Sequence, residues 1–332
     1  MKALALFSGG LDSVLAMKLI VDQGIEVVAV NINIGFGSAN DRLEHMQNMC
    51  KQIGVQLEVL DLRELYLDEV LFDPKYGYGK NFNPCIDCHG FMFRYTGELL
   101  EKFGASFMIS GEVIGQRPMS QRKDAMEQVK KLSNYDELIV RPLSAKLMTA
   151  SKPELEGWID REKLLDINGR SRERQLQIAK DIGLTDFESP GGGCLLTEIQ
   201  FGNKLKDFVE YDKDMKVEDI DTLKAGRHLR LPNGAKVIIG RSQEDNEKLK
   251  LTNSKRYYKV RILDATGPLA LMQKEASSED NLLAAQLIVT YGKTQMETQY
   301  EVKFFDENDS TNDIVITATK FPNKDIAAKY LI

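Results

Sequence analysis

Four cysteines, three histidines and one tryptophan are all that the 332 residues hold of the types that most often announce chemistry. Four cysteines are too few for a disulfide framework at this length. That excludes a small disulfide-stapled secreted scaffold and makes metal or catalytic work the better reading of the thiols. No stretch approaches the ~20 apolar residues of a membrane span. Low-complexity tracts and internal repeats are also missing, and disorder, collagen and coiled coil are excluded as descriptions of the whole. Nor is there an excess of positive charge: 44 basic against 50 acidic residues leave a net charge of −6. Overall charge therefore gives no footprint for nucleic acid, although local basic stretches still can. What is present is 42% hydrophobic and 28% charged residues, the balance of a soluble globular protein. At roughly 100–200 residues per domain, two domains are expected. The apolar start Met1–Phe7 runs at once into Ser8-Gly9-Gly10 and reads as a buried first strand, not a signal peptide; a cytoplasmic location is expected.

Apolar periodicity alternates along the first third. Ala3–Phe7, Val27–Ile32 and Leu57–Leu62 read as strands, and Leu11–Gln23 and Arg42–Ile53 as helices; Phe91–Phe103 then predicts a helix leading into a strand at Phe107–Ser110. Strands alternating with helices predict an α/β fold, a doubly wound and mostly parallel sheet. The stretch Asp73–Cys88, with Gly77, Gly79, Asn81, Asn83 and Pro84, breaks the rhythm and reads as a loop over one end of the sheet. Lys152–Gly183 is helical and charged, and Ser189-Pro190-Gly191-Gly192-Gly193 is a strong break. Beyond it, Pro232-Asn233-Gly234 between His228–Leu231 and Ala235–Ile239 signals a hairpin. Further strands at Tyr258–Leu263, Tyr300–Phe305 and Ile314–Thr319, with a helix around Asn281–Tyr291, predict a smaller α+β domain. The boundary is placed near residue 200, giving domains 1–200 and 201–332.

Ser8-Gly9-Gly10-Leu11-Asp12-Ser13 sits between the first strand and the first helix. A helix start offers unpaired N–H groups and a positive dipole end, and glycines let a phosphate approach the backbone. Ser8 and Ser13 add hydroxyl donors. A carboxylate beside an anion makes sense with a cation between them, so Asp12 is assigned to Mg²⁺. An ordinary capped βα turn is the bland alternative. The hexapeptide resembles the SGGxDS signature of the PP-loop ATP pyrophosphatases, whose fold is that of the adenine nucleotide α-hydrolases. The resemblance implies cleavage of ATP to AMP and pyrophosphate while a substrate oxygen is adenylated. That superfamily holds tRNA thiolation enzymes and amide-forming ligases alike.

Cys85-x-x-Cys88 places two thiolates on one turn, a spacing for metal chelation or redox exchange. Cys194 follows about a hundred residues later in a glycine-rich turn. Asn83-Pro84-Cys85-Ile86-Asp87-Cys88-His89 resembles the N-P-C-x-x-C segment of MnmA-type thiouridylases. The three-cysteine pattern as a whole is similar to that of the cluster-dependent tRNA thiolases. It implies a [4Fe–4S] cluster with one iron lacking a protein ligand. Two other readings stay open: a persulfide carrier with its resolving partner, and Cys₃His zinc with His89 as fourth ligand. Cys50, beside Met46 and Met49, reads as a small buried hydrophobe.

Ser110–Gln121, with Gly111 and Gln116, resembles the segment of thiolating PP-loop enzymes that walls the nucleotide pocket; Glu112 stands where thiouridylases often carry His. Asn31 and Asn33 end the second strand, where such a sheet receives adenine. Lys146, in Arg141–Lys146, is a candidate for the α-phosphate, with a solvated lysine as the equal alternative. Arg170, Arg172 and Arg174 concentrate cations and are expected to contact RNA phosphates, against a solvated helix face. His45 and His228 are assigned no chemistry, and Trp158 is read as packing. Gly226–Leu231, Gly240-Arg241 and Gly267-Pro268 resemble the RNA-binding domain of the NFACT family. The expected function is ATP-dependent tRNA uridine thiolation, leaning to 4-thiouridine. The expected cofactors are ATP, Mg²⁺ and a [4Fe–4S] cluster, with zinc or none as alternatives. The expected partners are tRNA and sulfide or a sulfur-donor protein, with no membrane, and a homodimer is a candidate assembly. A persulfide-using 2-thiouridylase, a zinc-containing amide- or nitrile-forming ligase and a non-catalytic RNA-binding protein are the rival readings.

Overall fold

A computed structural model describes residues 1–37, 43–185, 187, 193–212, 214–252, 255–307 and 309–332. It divides into two compact units, Met1–Thr197 and Glu198–Ile332. The expected helix start at Arg42 and the break at 189–192 lie outside the described residues.

In the first unit the β-branched and apolar runs form five strands: β1 (Lys2–Leu6), β2 (Glu26–Asn33), β3 (Gln56–Asp61), β4 (Phe107–Ser110) and β5 (Ile139–Val140), in the order β3-β2-β1-β4-β5. Every pair is parallel. Helices cover the sheet, so the interiors of its central strands, Ala3–Ala5, Val27–Val30 and Phe107–Ile109, are buried apolar runs, as parallel strands covered on both faces require. Helices of eight residues or more are α1 (Leu11–Val21), α2 (Leu43–Gln52), α3 (Cys85–Glu98), α4 (Lys123–Ser133) and α5 (Glu173–Asp181). From β1 the chain winds outward one way to β2 and β3; β4 pairs on the other side of β1. The winding therefore reverses at the β1/β4 junction, and ligands of open α/β sheets bind beyond the carboxyl ends of the strands at that reversal. The loops after β1 and β4, at Ser8–Ser13 and Ser110–Gln121, are the two that open there.

The doubly wound expectation is borne out, but two local ones are corrected. The loop read through Cys88 ends earlier: α3 begins at Cys85, and the Cys88 amide donates to the Pro84 carbonyl at 2.8 Å. Gly90 lies inside this helix. It is a packing contact, since a Cβ there would meet the Leu132 side chain at 2.4 Å. Within Lys152–Gly183 only α5 is a helix longer than one turn. Long-range backbone bonds override the helical spacing before it, with Leu165 N–H donating to the Pro142 carbonyl at 2.9 Å and Ile167 N–H to that of Leu143 at 2.8 Å.

The second unit carries α6 (Ile199–Tyr211), α7 (Val217–Lys224), α8 (Gln243–Leu251) and α9 (Ser278–Tyr291). Its antiparallel sheet comprises β6 (Arg227–Arg230), β7 (Lys236–Ile239), β8 (Tyr257–Ile262), β9 (Ala270–Gln273), β10 (Tyr300–Phe305) and β11 (Ile314–Ala318), ordered β11-β10-β8-β9-β7-β6. The Asn233-Gly234 hairpin joins β6 and β7 as expected, and Leu231 N–H donates to the Ala235 carbonyl at 2.9 Å across it. Leu229, Val237, Met272, Leu287 and Phe304 are fully buried between the sheet and α9. Lys236 is also wholly buried; its ammonium reaches Asp207 on α6 at 2.7 Å, and Arg230 grips the same carboxylate at 2.7 and 2.9 Å.

Candidate active site

The turn from β1 to α1 is built to leave donors open. Gly9 holds φ +78°, a conformation that side-chain-bearing residues resist, and Gly10 caps α1 without any side-chain bond to its amides. The first-turn N–H groups of α1, which have no intrahelical acceptor, thus face outward with the positive end of the dipole. Ser8 is exposed. Ser13 is buried and its hydroxyl donates to the Gly10 carbonyl at 2.7 Å, tying the loop to the helix. Asn31 supports the turn from β2, donating to the Phe7 carbonyl at 2.8 Å, while Asn33 accepts from the Gly35 amide at 2.9 Å and shapes its own turn.

The loop after β4 closes onto this turn. A Cβ at Gly111 would lie 2.4 Å from the Ser13 amide nitrogen and 2.5 Å from the Asp12 carbonyl carbon. Only glycine lets the two loops meet backbone to backbone. Gln116 donates from Nε2 to Asp12 Oδ2 at 2.6 Å and accepts at Oε1 from buried Gln175 at 3.0 Å. Arg172 approaches the same Asp12 oxygen at 3.7 Å. The other, Oδ1, is buried and has no protein partner, the kind of orphaned anionic oxygen that a cation satisfies. That fits the Mg²⁺ assignment of Asp12.

Behind the loop, Glu112 is buried and accepts from Arg141 Nε at 2.7 Å, with its other oxygen 2.7 Å from His89 Nδ1. Burial pushes its carboxyl up, but the Arg141 and His89 charges and hydrogen bonds outweigh that and hold it down at about 2. The bond joins the residue after Cys88 to the residue after Gly111. It ties the thiol helix to the nucleotide crevice.

The thiols gather at the start of α3. Cys88 is fully enclosed, and its thiol is pushed well up, first by burial and then by the charges of Cys194 and Cys85. The buried Tyr66 hydroxyl lies against Cys88 and favours its thiolate. Burial also raises Cys85, opposed by the Asn83 amide, 3.1 Å from its sulfur, and by the Arg117 charge. Cys194 reaches this group from far along the chain, and the next amide, that of Leu195, is fixed by the Phe36 carbonyl at 3.0 Å. Three soft sulfur donors brought toward one helix start suit a sulfur-liganded group. No three such side chains among the described residues stand at metal-holding distances. Cys50 lies apart in the core, and burial pushes its thiol up to about 12.

Lys146 is not drawn to the crevice by any contact; it bonds the Glu162 carbonyl at 2.8 Å and carboxylate at 3.2 Å. His228 is buried with Nε2 2.9 Å from the Ala225 carbonyl, and Trp158 packs near Phe107. Tyr66 and the Gln116–Gln175 bond escaped the sequence reading, as did the hydrogen bonds that join Glu112, His89 and Arg141, residues it named only separately. Only the charged segments around them signalled anything.

The β1–α1 loop, the reversal-point crevice and the thiol helix give the first unit a PP-loop-like α/β architecture, followed by a separate α+β unit. Residues 1–133 match the family described as tRNA methyl transferase HUP domain, and residues 226–331 the NFACT protein RNA binding domain. The first domain is thus similar to the PP-loop tRNA-thiolation enzymes and the second to NFACT-type domains. A tRNA-specific 2-thiouridylase MnmA of Treponema denticola is 32% identical over 27% of this chain and 26% of its own length. A probable tRNA sulfurtransferase of Thermococcus kodakarensis is 29% identical over 50% of this chain and 39% of its own length. The chain thus spans well under half of either relative. A 4-thiouridine synthetase–RNA complex with bound ATP shares 21% identity at a TM-score of 0.36, covering 56% of this chain and 52% of that one.

Proposed function

We propose that the protein is an ATP-dependent tRNA uridine thiolase. One observation carries this reading: a single loop, Gly111–Gln121, touches both halves of the chemistry. Gly111 and Gln116 contact the Ser8–Ser13 turn, while Met119 lies 3.4 Å from the Asn83 amide that also reaches Cys85. Nucleotide activation and sulfur delivery need that proximity, and an amide-forming ligase has no use for it.

In this reading the α1 amides hold the pyrophosphate portion of ATP and Asp12 holds Mg²⁺. Gln116 orients Asp12, and the interlocked loops fix the α-phosphorus in the crevice, so that catalysis is mostly positioning and charge neutralisation. The uridine carbonyl oxygen attacks that phosphorus, N3 gives up its proton and pyrophosphate leaves. A sulfur nucleophile at the Cys85–Cys88–Cys194 site then adds to the activated carbon and AMP departs, leaving carbon–sulfur in place of carbon–oxygen. A [4Fe–4S] cluster held by these three cysteines would supply sulfide at an iron without a protein ligand. The uridine must be unstacked to reach the crevice, and the NFACT-type domain supplies the tRNA contact. The C4 carbonyl is the proposed target, with this domain replacing the RNA-binding module of other 4-thiouridine-forming enzymes.

The test is anaerobically reconstituted protein with ATP, sulfide and unmodified tRNA, read by mass spectrometry of nucleosides. ATP-dependent thiouridine is expected, with its retention time distinguishing C4 from C2. Absence of thiouridine with several tRNAs contradicts the proposal. Conversion without added iron, with one CxxC cysteine dispensable, replaces the cluster by a persulfide.

A further inference from the structure

The cation-rich segment before α5 is fastened beside the nucleotide turn. Ile114 and Asn168 form a parallel bridge, and the Gly169 amide donates to the Ile114 carbonyl at 2.8 Å. A few residues on, wholly buried Gln175 bonds Gln116. Two tethers therefore fix the start of α5 against the loop that carries Gln116. The three arginines there take different directions. Arg174 pairs with Asp166, and Arg170 is exposed. Arg172, only 19% exposed, comes to 3.7 Å from Asp12.

That distance is too long for a hydrogen bond. Where this chain does build a closed arginine–carboxylate pair, Arg230 meets Asp207 at 2.7 and 2.9 Å. Arg172 is thus held near Asp12 with its donors unspent on it, at the mouth of a turn whose amides carry only partial positive charge. Phosphate oxygens accept both arms of a guanidinium fork.

We infer that Arg172 is a phosphate-binding residue, its guanidinium taking oxygens of the nucleotide seated on Ser8–Ser13, with Gln116 and Gln175 positioning it. This reassigns Arg172 from the RNA contact expected of the arginine run. It rests on the nucleotide-binding reading of that turn.

The experiment measures equilibrium binding of ATP and adenosine, and in parallel of an unmodified tRNA transcript, to the full chain. Wild type, Arg172→Gln and Arg172→Lys are compared. Losing one charge-assisted fork should weaken ATP about 10- to 100-fold. Adenosine and tRNA affinities should stay unchanged, and lysine should restore only part of the loss. Unchanged ATP affinity in Arg172→Gln overturns the inference. So does an equal loss for ATP and adenosine, the mark of a structural role, or a loss confined to tRNA. A wild type that binds no ATP instead removes the underlying reading, which shows before any variant is compared.

Discussion

Replacing Gly111 by alanine puts one methyl group where two loops meet. Its Cβ would stand 2.4–2.6 Å from three backbone atoms of Asp12 and Ser13, whereas ordinary contact begins near 3.4 Å. The loops must separate by about 1 Å, and because backbone is on both sides no rotamer relieves the clash. Overpacking of this size costs about 1–3 kcal/mol. In a unit of this length that lowers the melting temperature by about 2–12 °C. The functional loss should exceed the structural one, since a displacement of ~1 Å in a positioned site can cost on the order of 10²-fold. Scanning calorimetry and ATP binding on Gly111→Ala, with Gly37→Ala as the control whose added Cβ meets nothing within 4 Å, provide the comparison. Wild-type melting and ATP affinity in Gly111→Ala would refute the close-approach reasoning.

Glu112, held at about 2, contributes stability that is present above the unfolded carboxylate value of about 4.3 and lost as pH falls through about 2. Acid titration of Glu112→Gln should lack that component, and at pH 7 the variant should lose about 3–5 kcal/mol in denaturant melts because Arg141 is left buried and uncompensated. In the other unit, Asp207→Asn removes the hydrogen-bonded carboxylate of wholly buried Lys236, leaving it only Asp212 at 3.9 Å, while Arg230 keeps Asp212 at 3.0 Å; the stability of Glu198–Ile332 should fall by up to ~3–5 kcal/mol while ATP affinity is retained. Cys50→Ala, far from the other thiols in the core, should leave iron content and thiolation unchanged.

What the sequence made legible was local. The runs at Ala3–Phe7 and Val27–Ile32 carry their own strand pattern, and Asn233-Gly234 its own turn. Strands β5 and β9, two and four residues long, carry no period to read and exist only because neighbouring strands pair with them. The phosphate turn was visible because all its glycines and serines are contiguous. What positions it is not contiguous: Gly111 and Gln116 lie roughly a hundred residues on, and Arg172 farther still. The arginine run was seen, but its spacing could not tell the residue facing Asp12 from those facing solvent. Likewise nothing around Tyr66 sets it apart from core aromatics until the fold brings it to Cys88.

The measurement that bears most directly on the central claim is thiouridine formed per tRNA by wild type and by Cys194→Ala in the same anaerobic reaction with ATP and sulfide. Wild type should convert uridine in an ATP-dependent manner, and Cys194→Ala should convert none while still binding ATP, because the phosphate turn lies on a different element. Full thiolation by Cys194→Ala would contradict the three-cysteine site.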